Sequence, residues 1–216
     1  MSSIKIAVLA GTPIDTQMGV QCLADAGLSG FAFPLASDPR EQTTFQISSQ
    51  EEKLFRVRKV LSDSMEQGCS RVFVFCNSLS SVVDFPSLAK ETGMRIVTPL
   101  DVYRELASKY SCLALIAANA QGLSGIERTM VSVNPNLDLL SVGILPAVLS
   151  VEAGEDPPAL VERHHLAELS VWFQQCGAEA LVLGCTHFPY FKDALAARCA
   201  LPLIDPSAEM LRMIQE

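Results

Sequence analysis

Ala180-Leu181-Val182-Leu183-Gly184-Cys185-Thr186-His187-Phe188-Pro189 decides how the rest of the chain is read. Four apolar residues run into a glycine and then into a thiol, a hydroxyl and an imidazole. A short apolar run closed by a turn residue reads as a buried strand, the kind found in parallel sheets. Val72-Phe73-Val74-Phe75-Cys76-Asn77-Ser78 repeats the plan, with Cys185 following Cys76 by 109 positions. Two further landmarks recur at nearly the same offset. Gly11 and Asn119, each closing a first strand, lie 108 apart, and Pro99 and Pro206, each closing an Ile/Leu-rich run, lie 107 apart. A repeated offset of this kind marks an internal duplication.

Working outward, Ile4–Ala10 reads as a strand, Thr12–Ala26 as a loop entering a helix, and Phe31–Pro34 as a short strand. Residues 37–48, rich in Ser, Thr, Gln, Pro and Asp, read as an irregular loop. Ser49-Gln50-Glu51-Glu52 fits a capping box, and Leu54, Val57, Leu61 and Met65 continue it as a helix ended by Gly68. Val72–Phe75, Ile96–Thr98, Cys112–Ala118, Ala180–Leu183 and Leu203–Ile204 read as strands. Asp156-Pro157-Pro158 opens one helix presenting Leu166, Leu169, Phe173 and Cys176 on a shared face, closed by Gly177. Strands alternating with helices predict an α/β fold: two pseudo-symmetric lobes, each a mostly parallel sheet flanked by helices. The expected lobes are residues 1–100 with 207–216, and residues 101–206. Sites in open α/β sheets lie at the C-terminal ends of the strands, so the active site is expected in a cleft between the lobes.

Composition narrows the function classes. With 216 residues, 49% of them hydrophobic, the chain has material for a substantial core. Its longest apolar runs fall well short of the ~20 residues a membrane span needs. The first residues, Met-Ser-Ser-Ile-Lys-Ile, carry no secretory apolar region, so a cytoplasmic location is expected. A net charge of −8 argues against a nucleic-acid partner. Seven scattered cysteines without a C-x-x-C pair give no metal site and no redox pair. Cys22, Cys69, Cys112, Cys176 and Cys199 read as small buried hydrophobes.

The chemistry concentrates at the two remaining cysteines. A Cys in the turn between a strand and a helix gains from the helix N-terminus, which favours its thiolate. Backbone N–H groups there can hold a carboxylate. Asn77 offers a donor and an acceptor, and Thr186 a hydroxyl. His187, two residues from Cys185, is placed to polarise the thiol or exchange protons with it. His164 and His165 read as solvated helix residues.

The stretch Gly-Cys-Thr-His-Phe-Pro resembles the second cysteine motif of glutamate racemases, and Cys-Asn-Ser resembles the first cysteine motif of the aspartate/glutamate racemase superfamily. The similarity runs in order through the N-terminal glycine loop, both cysteines, the Thr-Pro segment, the middle strand and a final Asp-Pro-Ser. The resemblance implies a cofactor-independent racemase acting on aspartate or glutamate, with no pyridoxal phosphate and no metal. Cys76 and Cys185 would be the two acid–base groups on opposite faces of Cα, assisted by His187. Gly11, Thr12, Asn77, Ser78, Asn119 and Thr186 would bind substrate. The partner implied is a small amino acid, and a homodimer is compatible with the pattern.

The chain departs from the pattern at several positions. Glutamate racemases carry Asp-Ser-Gly after the first strand, where this chain has Ala10-Gly11-Thr12-Pro13-Ile14-Asp15. Thr12 would replace the Ser; Asp15 is either a displaced acid or a helix N-terminal residue. A glycine loop resembles aspartate racemases, yet those usually carry Glu where His187 stands. The middle strand often has Thr near Asn119. Arg40 is either a solvated loop residue or a partner for a substrate carboxylate. Hydantoin racemases and maleate isomerases also use two cysteines, whereas arylmalonate decarboxylases keep only one. A non-catalytic amino-acid-binding protein is the reading from a different class.

Overall fold

The computed structural model describes residues 4–216, apart from the side chains at 39, 40 and 43. The chain divides into two compact units, Met1–Asp101 with Ser207–Glu216, and Val102–Pro206.

The first unit follows β1 (Lys5–Ala10), α1 (Pro13–Asp25), β2 (Ser29–Pro34), α2 (Pro39–Ile47), α3 (Gln50–Glu66), β3 (Arg71–Val74), α4 (Asn77–Val82), α5 (Phe85–Thr92) and β4 (Arg95–Val97). α6 (Pro99–Ala107) carries the chain into the second unit. The strands form one parallel sheet in the order β2-β1-β3-β4. β1 and β3 are central and almost wholly buried, as their unbroken apolar runs require.

The second unit repeats this plan with β5 (Cys112–Ala117), α7 (Ala120–Val133), β6 (Asp138–Gly143), α8 (Leu145–Glu152), α9 (Pro157–Arg163), α10 (Leu166–Gln175) and β7 (Ala180–Leu183). A 3₁₀ turn (Phe188–Phe191), α11 (Lys192–Ala196) and β8 (Leu203–Ile204) follow. The sheet order is β6-β5-β7-β8, again all parallel. Ala114, Ile116, Leu181 and Leu183 of its central strands pack with Phe173, Phe188, Phe191 and Leu195 in one apolar core. α12 (Pro206–Gln215) returns to the first unit, where the Arg95 guanidinium donates to the Met213 carbonyl at 2.8 Å and Arg71 donates to that of Ile214.

Several expectations need correction. Residues 37–48 are not an irregular loop: α2 fills most of the stretch. Asp38 accepts the Glu41 N–H at 3.0 Å, Glu41 reaches back to the Ser37 N–H at 2.8 Å, and Phe45 is buried. Reciprocal capping of this kind starts a helix whatever the polarity of its exposed face. The side chain of Arg40 lies outside the described set.

The single helix expected after Asp156 is two, α9 and α10, because His165 adopts a left-handed conformation (φ 51°). Cys176 is the C-cap of α10 and is exposed, while Cys22, Cys112 and Cys199 are half-buried; only Cys69 of these five is buried. On α3 the buried face is Lys53, Val57, Leu61 and Ser64; Leu54 is half-buried and Met65 exposed. The strand β6 had no counterpart in the sequence reading. Its side chains are half-exposed along a sheet edge, so no clean apolar run marks it.

No helix among the described residues is long and apolar enough to cross a membrane.

Candidate active site

In each sheet the strand order reverses direction between its two central strands. A crevice opens at such a switch point, outside the strands' C-terminal ends, and ligands settle there. In the first unit these ends are β1 and β3, and the loops after them carry Gly11-Thr12 and Cys76. In the second they are β5 and β7, and the loops carry Asn119 and Cys185.

Backbone hydrogen bonds fix the correspondence between the units. The Phe75 N–H donates to Leu9 O at 2.8 Å, and the Gly184 N–H to Ile116 O at 2.7 Å. Cys76 and Cys185 each come one residue later, in matching places. The Leu35 N–H donates to Ala10 O, and the Ile144 N–H to Ala117 O. Asn119 therefore matches Thr12, rather than Gly11. Both are N-caps: Thr12 Oγ1 accepts the Asp15 N–H at 3.4 Å, and Asn119 Oδ1 accepts the Gly122 N–H at 3.0 Å. One hydrogen-bond acceptor of each is thus spent on its own helix.

Cys76 is the N-cap of α4 and is buried. Its sulfur lies 3.4 Å from Ser78 Oγ and 3.8 Å from Gln42 Nε2, and the backbone N–H groups of Gly11 and Leu79 point at it. Ser78 Oγ in turn accepts from Gln46 Nε2 at 2.8 Å. Burial pushes the Cys76 thiol up, and the Asp15 carboxylate pushes it further. The Ser78 hydroxyl and the two amides act the other way by donating to the thiolate. Asn77 is buried at the start of α4, and Asp15 is buried in the first turn of α1. Of the first lobe's expected site residues, Gly11, Ser78 and Cys76 come together around one sulfur.

Cys185 is also buried, and its Sγ lies 3.6 Å from His187 Nδ1. The far side of the ring, Nε2, lies 3.4 Å from Glu152 Oε1 at the end of α8. A thiol, an imidazole and a carboxylate thus stand in line. A carboxylate beside the far nitrogen helps to orient the ring, so that the near nitrogen faces the thiol. Gly184 makes this placement possible: a Cβ there would lie 2.9 Å from the Ile116 carbonyl oxygen and 2.8 Å from Leu115 Cδ1. Thr186 is half-buried. His164 and His165 lie outside this cluster. His164 Nε2 is 3.0 Å from Ser150 Oγ, and His165 is exposed near Glu168.

Glu152, Gln42 and Gln46 were missed in the sequence. Glu152 precedes His187 by 35 residues and has no local motif, so only folding brings the two together. The glutamines stand four apart, a helical spacing within a stretch whose polar composition reads as a loop.

A doubly wound two-lobed α/β protein with a buried thiol at each switch point is the class that fold and site define. No protein-family model matches the chain. Glutamate racemase of Limosilactobacillus reuteri is 25% identical over 189 residues, covering 85% of this chain and 66% of the relative. The chain therefore spans just under two thirds of that relative's length. Among solved structures, glutamate racemase from Francisella tularensis in complex with D-glutamate superposes with a TM-score of 0.74 at 19% identity, covering 100% of this chain and 81% of that one. Allantoin racemase from Klebsiella pneumoniae gives 0.66 at 14% identity, covering 99% and 86%. At these identities the structural likeness is one of fold. Taken with the sequence match, the chain is a distant homologue of glutamate racemases with the fold of the aspartate/glutamate racemase superfamily.

Proposed function

We propose that the chain is a cofactor-independent racemase of an acidic amino acid, with Cys76 and Cys185 as its two proton-transfer groups. The observation that carries this reading is the duplication of the thiol. Each lobe buries one cysteine at the same position past its switch-point strand, and each thiol has polar partners. A structural cysteine needs no such partners. In the reaction, the thiolate of one cysteine takes the Cα proton and becomes a thiol. The thiol of the other gives its proton to the opposite face and becomes a thiolate. No atom is gained or lost; the swapped pair is poised for the reverse reaction, and proton exchange with solvent resets it for another turnover in the same direction. The carbanionic transition state calls for directed donors in a dry site, and the N–H groups around Cys76 are of that kind. Asn77, Ser78, Thr186, Thr12 and Asn119 are proposed to bind the amino and carboxylate groups.

Glutamate is the first substrate to test, since the sequence relative is a glutamate racemase, with aspartate beside it. The decisive experiment incubates the purified protein with each enantiomer in D2O, without added cofactor, and reads deuterium at Cα by mass spectrometry. Glutamate or aspartate should exchange and racemise, and Cys76→Ala and Cys185→Ala should abolish racemisation, while Cys176→Ala retains it. Absence of exchange with both acids would remove the substrate assignment; turnover of a hydantoin or allantoin alone would move the chain to that branch. Equal activity of all three cysteine variants would remove the site.

A further inference from the structure

α2 places two carboxamides, Gln42 and Gln46, one helical turn apart beside the first cysteine motif. The approach of Gln42 is permitted by a missing side chain: a Cβ at Gly11 would overlap its carboxamide, and the three nearest atoms to such a Cβ all belong to Gln42. Gln46 is fixed separately by its 2.8 Å bond to Ser78. We propose that Gln42 is a positioning residue that pairs with Cys76 in both protonation states and thereby sets the proton affinity of the thiol. This inference rests on the reading of Cys76 as a proton-transfer group.

The chemistry favours an amide in this role. A racemase thiol must serve as a thiolate base for one enantiomer and as a thiol acid for the other. A carboxamide carries a donor and an acceptor on one planar group, so Nε2–H can donate to a thiolate and Oε1 can accept from a thiol. It is also uncharged at every working pH, so its support does not titrate away. The charged group facing Cys76 is Asp15 from α1, which opposes the thiolate, as does burial. Gly11 and Leu79 supply backbone donors that are fixed in direction; Ser78 supplies a hydroxyl held by Gln46. Among the described partners of the Cys76 sulfur, Gln42 is the carboxamide, a group that can turn over. Glycine at position 11 then has two functions: its N–H faces the sulfur, and its lack of a side chain admits the amide.

The test titrates Cys76 itself and needs no turnover. Thiolate absorbance in the ultraviolet is recorded against pH, and the same curve for a Cys76→Ser partner protein is subtracted. Gln42→Met, which keeps the volume and loses both polar groups, should raise the midpoint by about half to one pH unit, the scale of one hydrogen bond to a charged group. Gln42→Glu should raise it further, because an ionised carboxylate only accepts and repels the thiolate. Gly11→Ala should raise it in the presence of Gln42 and add little in a Gln42→Ala background. Unchanged midpoints in both Gln42→Met and Gln42→Glu would overturn the proposal. So would an equal effect of Gly11→Ala in the two backgrounds, since the glycine amide alone would then explain it. If Cys76 titrates as expected yet its serine variant racemises normally, the functional reading fails while the pairing stands.

Discussion

Cys76 holds its proton against four donors, and that has a consequence for stability. Its thiol is raised, through burial first and Asp15 second, above the ordinary value of 9.0. The unfolded chain therefore releases this proton near pH 9, and the folded protein only at higher pH. Between those points the folded state carries the extra proton, so stability falls as pH rises; below the unfolded value the contribution is fully present. Chemical denaturation across about pH 8 to 10 should show an alkaline decline that is shallower in Cys76→Ser than in the wild type; parallel curves would contradict the raised thiol. The same shift gives kcat/KM a limb that rises with pH for the enantiomer whose proton Cys76 removes. At the other thiol, Glu152→Gln keeps the shape and removes the charge behind His187. The expected loss is about tenfold in kcat, the scale of one partly buried charge interaction, and stopped-flow or coupled turnover assays read it directly. His187→Asn should cost about a hundredfold or more.

Single elements show where local sequence was enough and where it was misleading. Ala180–Leu183 occupies the stretch its apolar character indicates, because a strand buried on both faces announces itself, and the half-buried edge pair Leu203–Ile204 also lies where it is expected. The polar composition of α2 reads as a loop, although Asp38, Pro39 and Glu41 spell a helix start. The cap carries a prediction: Asp38→Ala should destabilise the protein by about 1 kcal/mol in urea unfolding, the usual cost of an N-cap. The break between α9 and α10 was illegible for a different reason. Nothing in Arg163-His164-His165-Leu166 demands a stop, and His165 takes a left-handed conformation that costs an L-residue roughly 1 kcal/mol relative to glycine. His165→Gly should therefore raise the unfolding midpoint, since the side chain it removes is exposed and makes only a 3.9 Å approach to Glu168. A fall of comparable size would show that the histidine ring contributes something its contacts do not reveal.

For the whole molecule, the duplicated offset made the architecture legible before any element was certain. Three landmark pairs spaced 107 to 109 apart require two copies of one topology, and both sheets run in the same order. Advancing β2 by that spacing falls on 136–143, where the edge strand β6 lies, though its own residues hardly show it. The partners of the thiols were beyond sequence, since Gln42, Asp15 and Glu152 reach the sulfurs or the imidazole only through tertiary packing. The duplication leads to a final prediction about division of labour. If each lobe supplies one base, neither thiol alone can invert a carbon, but each can still remove the proton from its own face. In Cys185→Ser the Cys76 thiolate should exchange the Cα hydrogen of one enantiomer with D2O and return it with unchanged configuration. In Cys76→Ser the Cys185 thiolate should do the same for the other enantiomer, and neither variant should racemise at an appreciable rate. Exchange is read by mass spectrometry and configuration by chiral chromatography on the same samples. Exchange of the same enantiomer by both variants would show that the two thiols work on one face, and the duplication would then have to be explained by something other than a two-base reaction.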